Sequence, residues 1–139
     1  MIEQIYNYFT IETLYYWVNF GVLPFWLILI FFPQSYFCRY FVTSIFPIFI
    51  LSGVYIFILY KAYLNIYPFN NNFLIMFWIH FISINLFTGG WIVNDSQKFQ
   101  ISKMLLIIPL LITYLVGPLG LILYWLIRIF YAKSINLYD

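Results

Sequence analysis

The sequence predicts an all-α membrane protein, a bundle of four transmembrane helices bent by prolines. Three observations carry this. Hydrophobic residues make up 65% of the 139 positions and charged residues 7%, too few charges to cover a surface in water. Four apolar runs have the length of a bilayer-crossing helix, roughly 20 residues. None of them alternates polar and apolar residues as a membrane β-barrel strand does. The length suits a single domain, 1–139.

The first run, "LYYWVNFGVLPFWLILIFFP", covers 14–33, and the second, "FVTSIFPIFILSGVYIFILY", covers 41–60. The short link "QSYFCRY" makes these two antiparallel neighbours. The third run begins near Phe73 and covers 73–93, after the loop "KAYLNIYPFNNN" with its proline and asparagines. The fourth covers 104–130 and follows "NDSQKFQISK", an aqueous turn holding Asp95, Lys98 and Lys103. Pro24, Pro47, Pro109 and Pro118 fall inside the runs, where each removes a backbone donor and crowds the preceding turn. "GPLG", Gly117 to Gly120, also removes side-chain bulk. It reads either as a kink with close helix contact or as a gap for a flat ligand.

Charge excludes some functions and leaves orientation open. The net charge of +2 gives no signal for nucleic acid. Cys38 is the single cysteine, so neither an internal disulfide nor a multi-cysteine metal site is expected. The first residues carry Glu3 and no basic cluster, so no cleavable signal is expected. In a four-span protein Lys61, Arg128 and Lys133 would face one side and Arg39, Lys98 and Lys103 the other. Three against three does not choose an orientation. No repeat suggests a duplicated transporter.

The polar residues of the third run are the functional candidates, because hydrocarbon penalises them. His80 is foremost, since imidazole can act as acid, base, donor or ligand. It is expected to face the bundle interior, near Trp26 or the 117–120 bend. At about 100° per residue, His80, Ser83, Phe87 and Trp91 share one face, and Asn85, Thr88 and Gly89 share another. Asn85 reads equally well as hydrogen-bonding glue between helices. Asp95, about 22 Å further along the axis, is expected at the headgroup level, where a cap or turn role would serve. One histidine among few carboxylates does not make a metal site. The abundant Phe, Tyr and Trp suit contact with lipid and with flat polyenes.

"LPFWLILIFFP", "WIHFISINLFTGGWIVND" and "GPLGLILY" occur in the order found in the abscisic-acid-deficiency type of neoxanthin synthase. The chain resembles that family from about Asn19 to Arg128. The resemblance implies a compact four-span protein of a plastid (thylakoid) or bacterial inner membrane, acting on xanthophylls. In the family's plant members it implies conversion of violaxanthin to neoxanthin, an isomerisation that opens an epoxide and forms an allene. The matching positions here are Pro24 and Trp26, then Trp78, His80, Leu86, Gly89, Trp91 and Asp95, then Gly117, Pro118 and Gly120. The family pattern commonly has an aspartate five positions after the histidine, and this chain has Asn85 there. An amide cannot shuttle a proton.

The implied catalytic candidates are therefore His80, Asn85 and Asp95. The implied substrate-binding candidates are Trp26, Trp78, Gly89, Trp91, Gly117, Pro118 and Gly120. Such an isomerisation moves protons and no electrons, so it formally requires no redox cofactor. Two classes stay open: a xanthophyll isomerase, and a non-catalytic carotenoid-binding or structural subunit among other membrane proteins.

Overall fold

Thr10 opens the first helix by accepting the Thr13 amide on its hydroxyl at 3.2 Å. From there the computed structural model describes residues 10–63 and 69–136. Helix α1 is Ile11–Phe31, and a π-helical turn follows at Cys38–Val42. Then come α2 (Phe46–Tyr63), α3 (Phe69–Lys98), α4 (Lys103–Val116) and α5 (Pro118–Ala132). Among the described residues there is no strand.

Helix α1 buries Leu14, Val18, Val22, Trp26 and Leu29, spaced at three and four residues so that they form one stripe. Its other face shows Tyr16, Trp17, Phe20 and Leu27 outward. The Phe32 amide closes the last turn on the Ile28 carbonyl, and Pro33 cannot continue it. The π-helical turn buries Cys38 and Val42, and Phe41 stacks on Phe25 at 6.0 Å between ring centroids. The chain then turns into α2 with Pro47 in the first turn, where a missing amide costs nothing.

Helix α3 is the centre, and it runs parallel to α1. Asn19 meets Trp78, Trp26 lies over Gly89, and Pro33 accepts a hydrogen bond from Gln97 at 3.0 Å. Helix α2 runs antiparallel to α3, with Tyr55 beside His80 and Thr43 beside Gly90. The two adjacent glycines serve opposite sides. A Cβ on Gly89 would strike the Trp26 ring at 2.8 Å, and one on Gly90 would rest on Thr43 at 3.7 Å. Close approach through small residues suits helices in lipid, where burying apolar surface gives little drive.

The expected fourth span, near 104–130, is instead two helices. Gly117 breaks it with φ +74°, a left-handed conformation that favours glycine. Pro118 is the first residue of α5 and does not kink a continuous helix. Helix α5 folds back along α4. A Cβ at Gly120 would collide with the Pro109 carbonyl oxygen and with the backbone amide and hydroxyl of Thr113. At the far end Arg128 returns to Asp95, near the start of α4. The sequence could not separate a kink from a hairpin, because both use Gly-Pro and only tertiary contacts, at Gly120 and between Arg128 and Asp95, distinguish them.

Three segments are long and apolar enough to cross a membrane: Glu12–Phe31, Cys38–Lys61 and Leu74–Lys98. Helices α4 and α5 have 14 and 15 residues, about 21 Å each, short of a hydrocarbon layer of about 30 Å. The protein is thus an all-helical membrane protein. Of the four interior prolines, Pro24 and Pro109 lie within helices, while Pro47 and Pro118 begin them.

The hairpin makes Gly120 sensitive and Gly21, with open space around it, tolerant. Gly120→Ala should lose about 1–3 kcal/mol of stability, the usual cost of overpacking. Gly21→Ala should be neutral or slightly stabilising. Thermal unfolding of both purified variants in one detergent measures the difference.

Candidate functional site

Because α4 stops at Gly117, a gap remains between α1 and α3 beyond its end. This gap is a cavity of about 140 Å³ lined by Asn19, Val22 and Trp26 of α1, Trp78, Phe81, Ile82 and Asn85 of α3, and Tyr114 and Leu115 of α4. Trp26 is buried and forms one wall. Its indole lies on Gly89 and sits 5.3 Å from the Tyr114 ring, tilted by 59°. At the other end Trp78 Nε1 donates to Asn19 Oδ1 at 3.2 Å, and Asn19 Nδ2 donates to the Tyr15 carbonyl at 2.7 Å. This pair bridges α1 to α3.

Asn85 is buried and lines the cavity. A Cβ on Gly117 would stand 2.6 Å from its Oδ1, so glycine at 117 leaves the amide its space. No described residue hydrogen-bonds the Asn85 amide. Amide donors and acceptors facing an aromatic-walled cavity can hold a hydroxyl or ether oxygen.

His80 lies elsewhere. It is exposed on the α3 face toward α2, 6.4 Å from the Tyr55 ring, and it does not line the cavity. The expectation that it faces the bundle interior near Trp26 fails. The buried stripe of α3 runs through Ile79, Ile82, Leu86 and Val93, and a residue directly after Ile79 is rotated off it.

Asp95 does not serve as a cap or turn residue. It is 3% exposed and bonds through Oδ2 to Arg128 Nε and to the Tyr124 hydroxyl, each at 2.7 Å. Arg128, 1% exposed, also donates from Nη1 to the Asn136 carbonyl at 2.6 Å and lies over the Phe99 ring at 4.7 Å. Trp91 meets Tyr124 edge-on at 5.9 Å. Asp95 is ten residues from Asn85, about 15 Å along the helix, so the cluster and the cavity are separate places. The structure brings Trp26, Trp78 and Asn85 to the cavity, with Gly89 packed on Trp26 and Gly117 on Asn85. It assigns Trp91, Asp95 and Gly120 to the hairpin's packing, with Pro118 at the tip.

Sequence reasoning passed over Asn19, Tyr114, Tyr124 and Arg128. For Arg128 a signal was present: an arginine inside an expected span needs a partner, and Tyr124 four residues earlier shares its face. Tyr114 had no signal, because its role depends on where α4 ends. Among the described residues no group of three His, Cys, Asp or Glu side chains could hold a metal ion.

The model of one protein family, described as ABA DEFICIENT 4-like, matches residues 13–124. The chain belongs to the ABA DEFICIENT 4-like family. The matched stretch contains the whole cavity together with Asp95 and Tyr124, while Arg128 lies beyond its last residue. No curated protein and no solved structure gives a significant match.

In this ABA DEFICIENT 4-like chain the buried pair should show strong coupling. Asp95→Asn or Arg128→Gln alone leaves a buried partner uncompensated and should cost about 3–5 kcal/mol. The double variant should lose clearly less than the sum of the two. A double-mutant cycle on thermal unfolding in detergent reads this.

Proposed function

We propose that this ABA DEFICIENT 4-like protein holds the oxygenated ring end of a carotenoid in the cavity between α1, α3 and α4. The observation behind the proposal is the lining itself: indole and phenol faces of Trp26, Trp78 and Tyr114 around the amides of Asn19 and Asn85. Aromatic faces suit a flat conjugated end group, and amides suit its oxygens without placing a charge in hydrocarbon. The volume of about 140 Å³ is close to that of an engineered cavity of about 150 Å³ that accepts benzene. It admits a group of about benzene's size, the oxygen-bearing edge of the ring, with the rest of the ring and the polyene left in the bilayer. Such ligands belong to plastid thylakoid or bacterial inner membranes.

Binding is favoured over catalysis by what surrounds the cavity. Opening an epoxide into an allene needs an acid at the epoxide oxygen and a base at a polyene C–H. His80 is outside the cavity, Asn85 does not titrate, and Asp95 is engaged by Arg128. A second reading, a xanthophyll isomerase, draws on Tyr114, whose phenol lines the cavity and can donate a proton.

The test expresses the chain in cells that make violaxanthin and analyses pigments in the membranes and in the purified protein. Carotenoid should co-purify with the unaltered chain and be reduced at least several-fold with Trp26→Ala at equal protein level. Absence of any co-purified carotenoid at good expression would sink the binding reading. Neoxanthin formation that is lost in Tyr114→Phe would establish the isomerase in its place.

A further inference from the structure

Helices α1, α2 and α3 cross in alternate directions, as the order of the contacts Asn19–Trp78 and Trp26–Gly89, and of Tyr55–His80 and Thr43–Gly90, requires. The hairpin then reverses within the membrane. It leaves from the Lys98 end of α3, reaches Asn85 with Gly117, and returns to Asp95 with Arg128. Its tip lies about ten residues, some 15 Å, along α3 from Asp95, half of the hydrocarbon thickness of about 30 Å. Irregular backbone at that depth is tolerated only when enclosed by protein. Gly117 is buried, and its amide bonds the Thr113 carbonyl at 2.9 Å.

This arrangement changes the charge count. Arg39 lies between α1 and α2, Lys98 ends α3, Lys103 begins α4, and Arg128 and Lys133 end α5. All five are on one side of the bilayer, and Lys61, near the end of α2, is alone on the other. Four crossings would split the same six residues evenly. With a re-entrant hairpin they divide five to one, and basic residues concentrate on the cytoplasmic side.

We infer that the chain crosses the bilayer three times, that α4–α5 is a re-entrant hairpin entering from the cytoplasmic (in a plastid, stromal) side, and that the cavity beyond its tip takes its ligand from the opposite leaflet. The cavity lies on the Thr10 side of the tip. Leu115, 69% exposed, and Trp78, 37% exposed, mark its flank toward lipid. A membrane-dissolved amphiphile with a compact polar end enters sideways there and meets Asn85 at mid-depth. That the ligand is a carotenoid rests on the function proposed above, whereas the topology stands without it.

The experiment places single cysteines in the full chain at exposed positions: Thr10→Cys, Ser102→Cys and Ile135→Cys, with Glu12→Cys as a second probe should loss of the Thr10 cap impair accumulation. Intact bacterial cells are treated with a maleimide that reaches the periplasm but does not cross the inner membrane, then compared with permeabilised cells. The unaltered chain measures the signal of the buried Cys38. Thr10→Cys or Glu12→Cys should label in intact cells, and Ser102→Cys and Ile135→Cys only after permeabilisation. Labelling of positions 10 and 135 from the same side would establish four crossings and overturn the hairpin. Labelling of 102 and 135, but not 10, in intact cells would overturn the orientation and with it the leaflet. Neither result depends on pigment co-purification, so this inference and the proposed function fail separately.

Discussion

The ion pair of Asp95 and Arg128 is the constraint on which the rest of the structure depends. A guanidinium inside an otherwise apolar helix has to find a carboxylate, and the nearest is at the end of α3. That pairing draws the end of α5 back to the place where α4 begins, so the 29 residues of the two helices cannot run straight through the bilayer. The return in turn demands a sharp break halfway and a close contact beside it. Gly117 supplies the backbone conformation, Pro118 starts the new helix without losing a hydrogen bond, and Gly120 removes the side chain that would hold the two helices apart. Tyr124 adds a second donor to the same carboxylate oxygen, which further offsets the desolvation of a buried charge pair.

The cavity is a consequence of that reversal. A continuous fourth helix would fill the groove between α1 and α3 along its whole length. Because α4 ends beside Asn85, the remaining part of the groove is closed instead by side chains from two long helices. Trp26 joins the two halves of the molecule: it covers Gly89 on α3 and meets Tyr114 on α4. The Trp78–Asn19 hydrogen bond holds α1 and α3 together at the other end. The cavity is therefore bounded by three helices that pack against one another.

Chemistry shifts accordingly from ionisable groups to neutral ones. The three residues first considered for proton transfer lie apart: His80 is exposed beside Tyr55, Asn85 lines the cavity, and Asp95 is paired about 15 Å away along the helix. Neutral amides, indoles and a phenol can recognise an oxygenated apolar molecule without the desolvation cost of a charge. That suits a cavity between apolar helices, where a carboxylate would need its own counter-ion.

Composition and run length alone established a helical membrane protein and the positions of its first three helices, to within a few residues. Hydrophobic transfer and backbone hydrogen bonding decide these locally, along one segment at a time. Of the motif residues, Trp26, Trp78 and Asn85 line one cavity, and Gly117 packs against Asn85. The hairpin, the burial of Asp95, the outward placement of His80 and the recruitment of Asn19 and Tyr114 were settled only by tertiary contacts. A Gly-Pro break is compatible with both a bend and a full reversal. Which one occurs depends on a partner 33 residues away, Arg128 finding Asp95, and no periodicity within a single run carries that information.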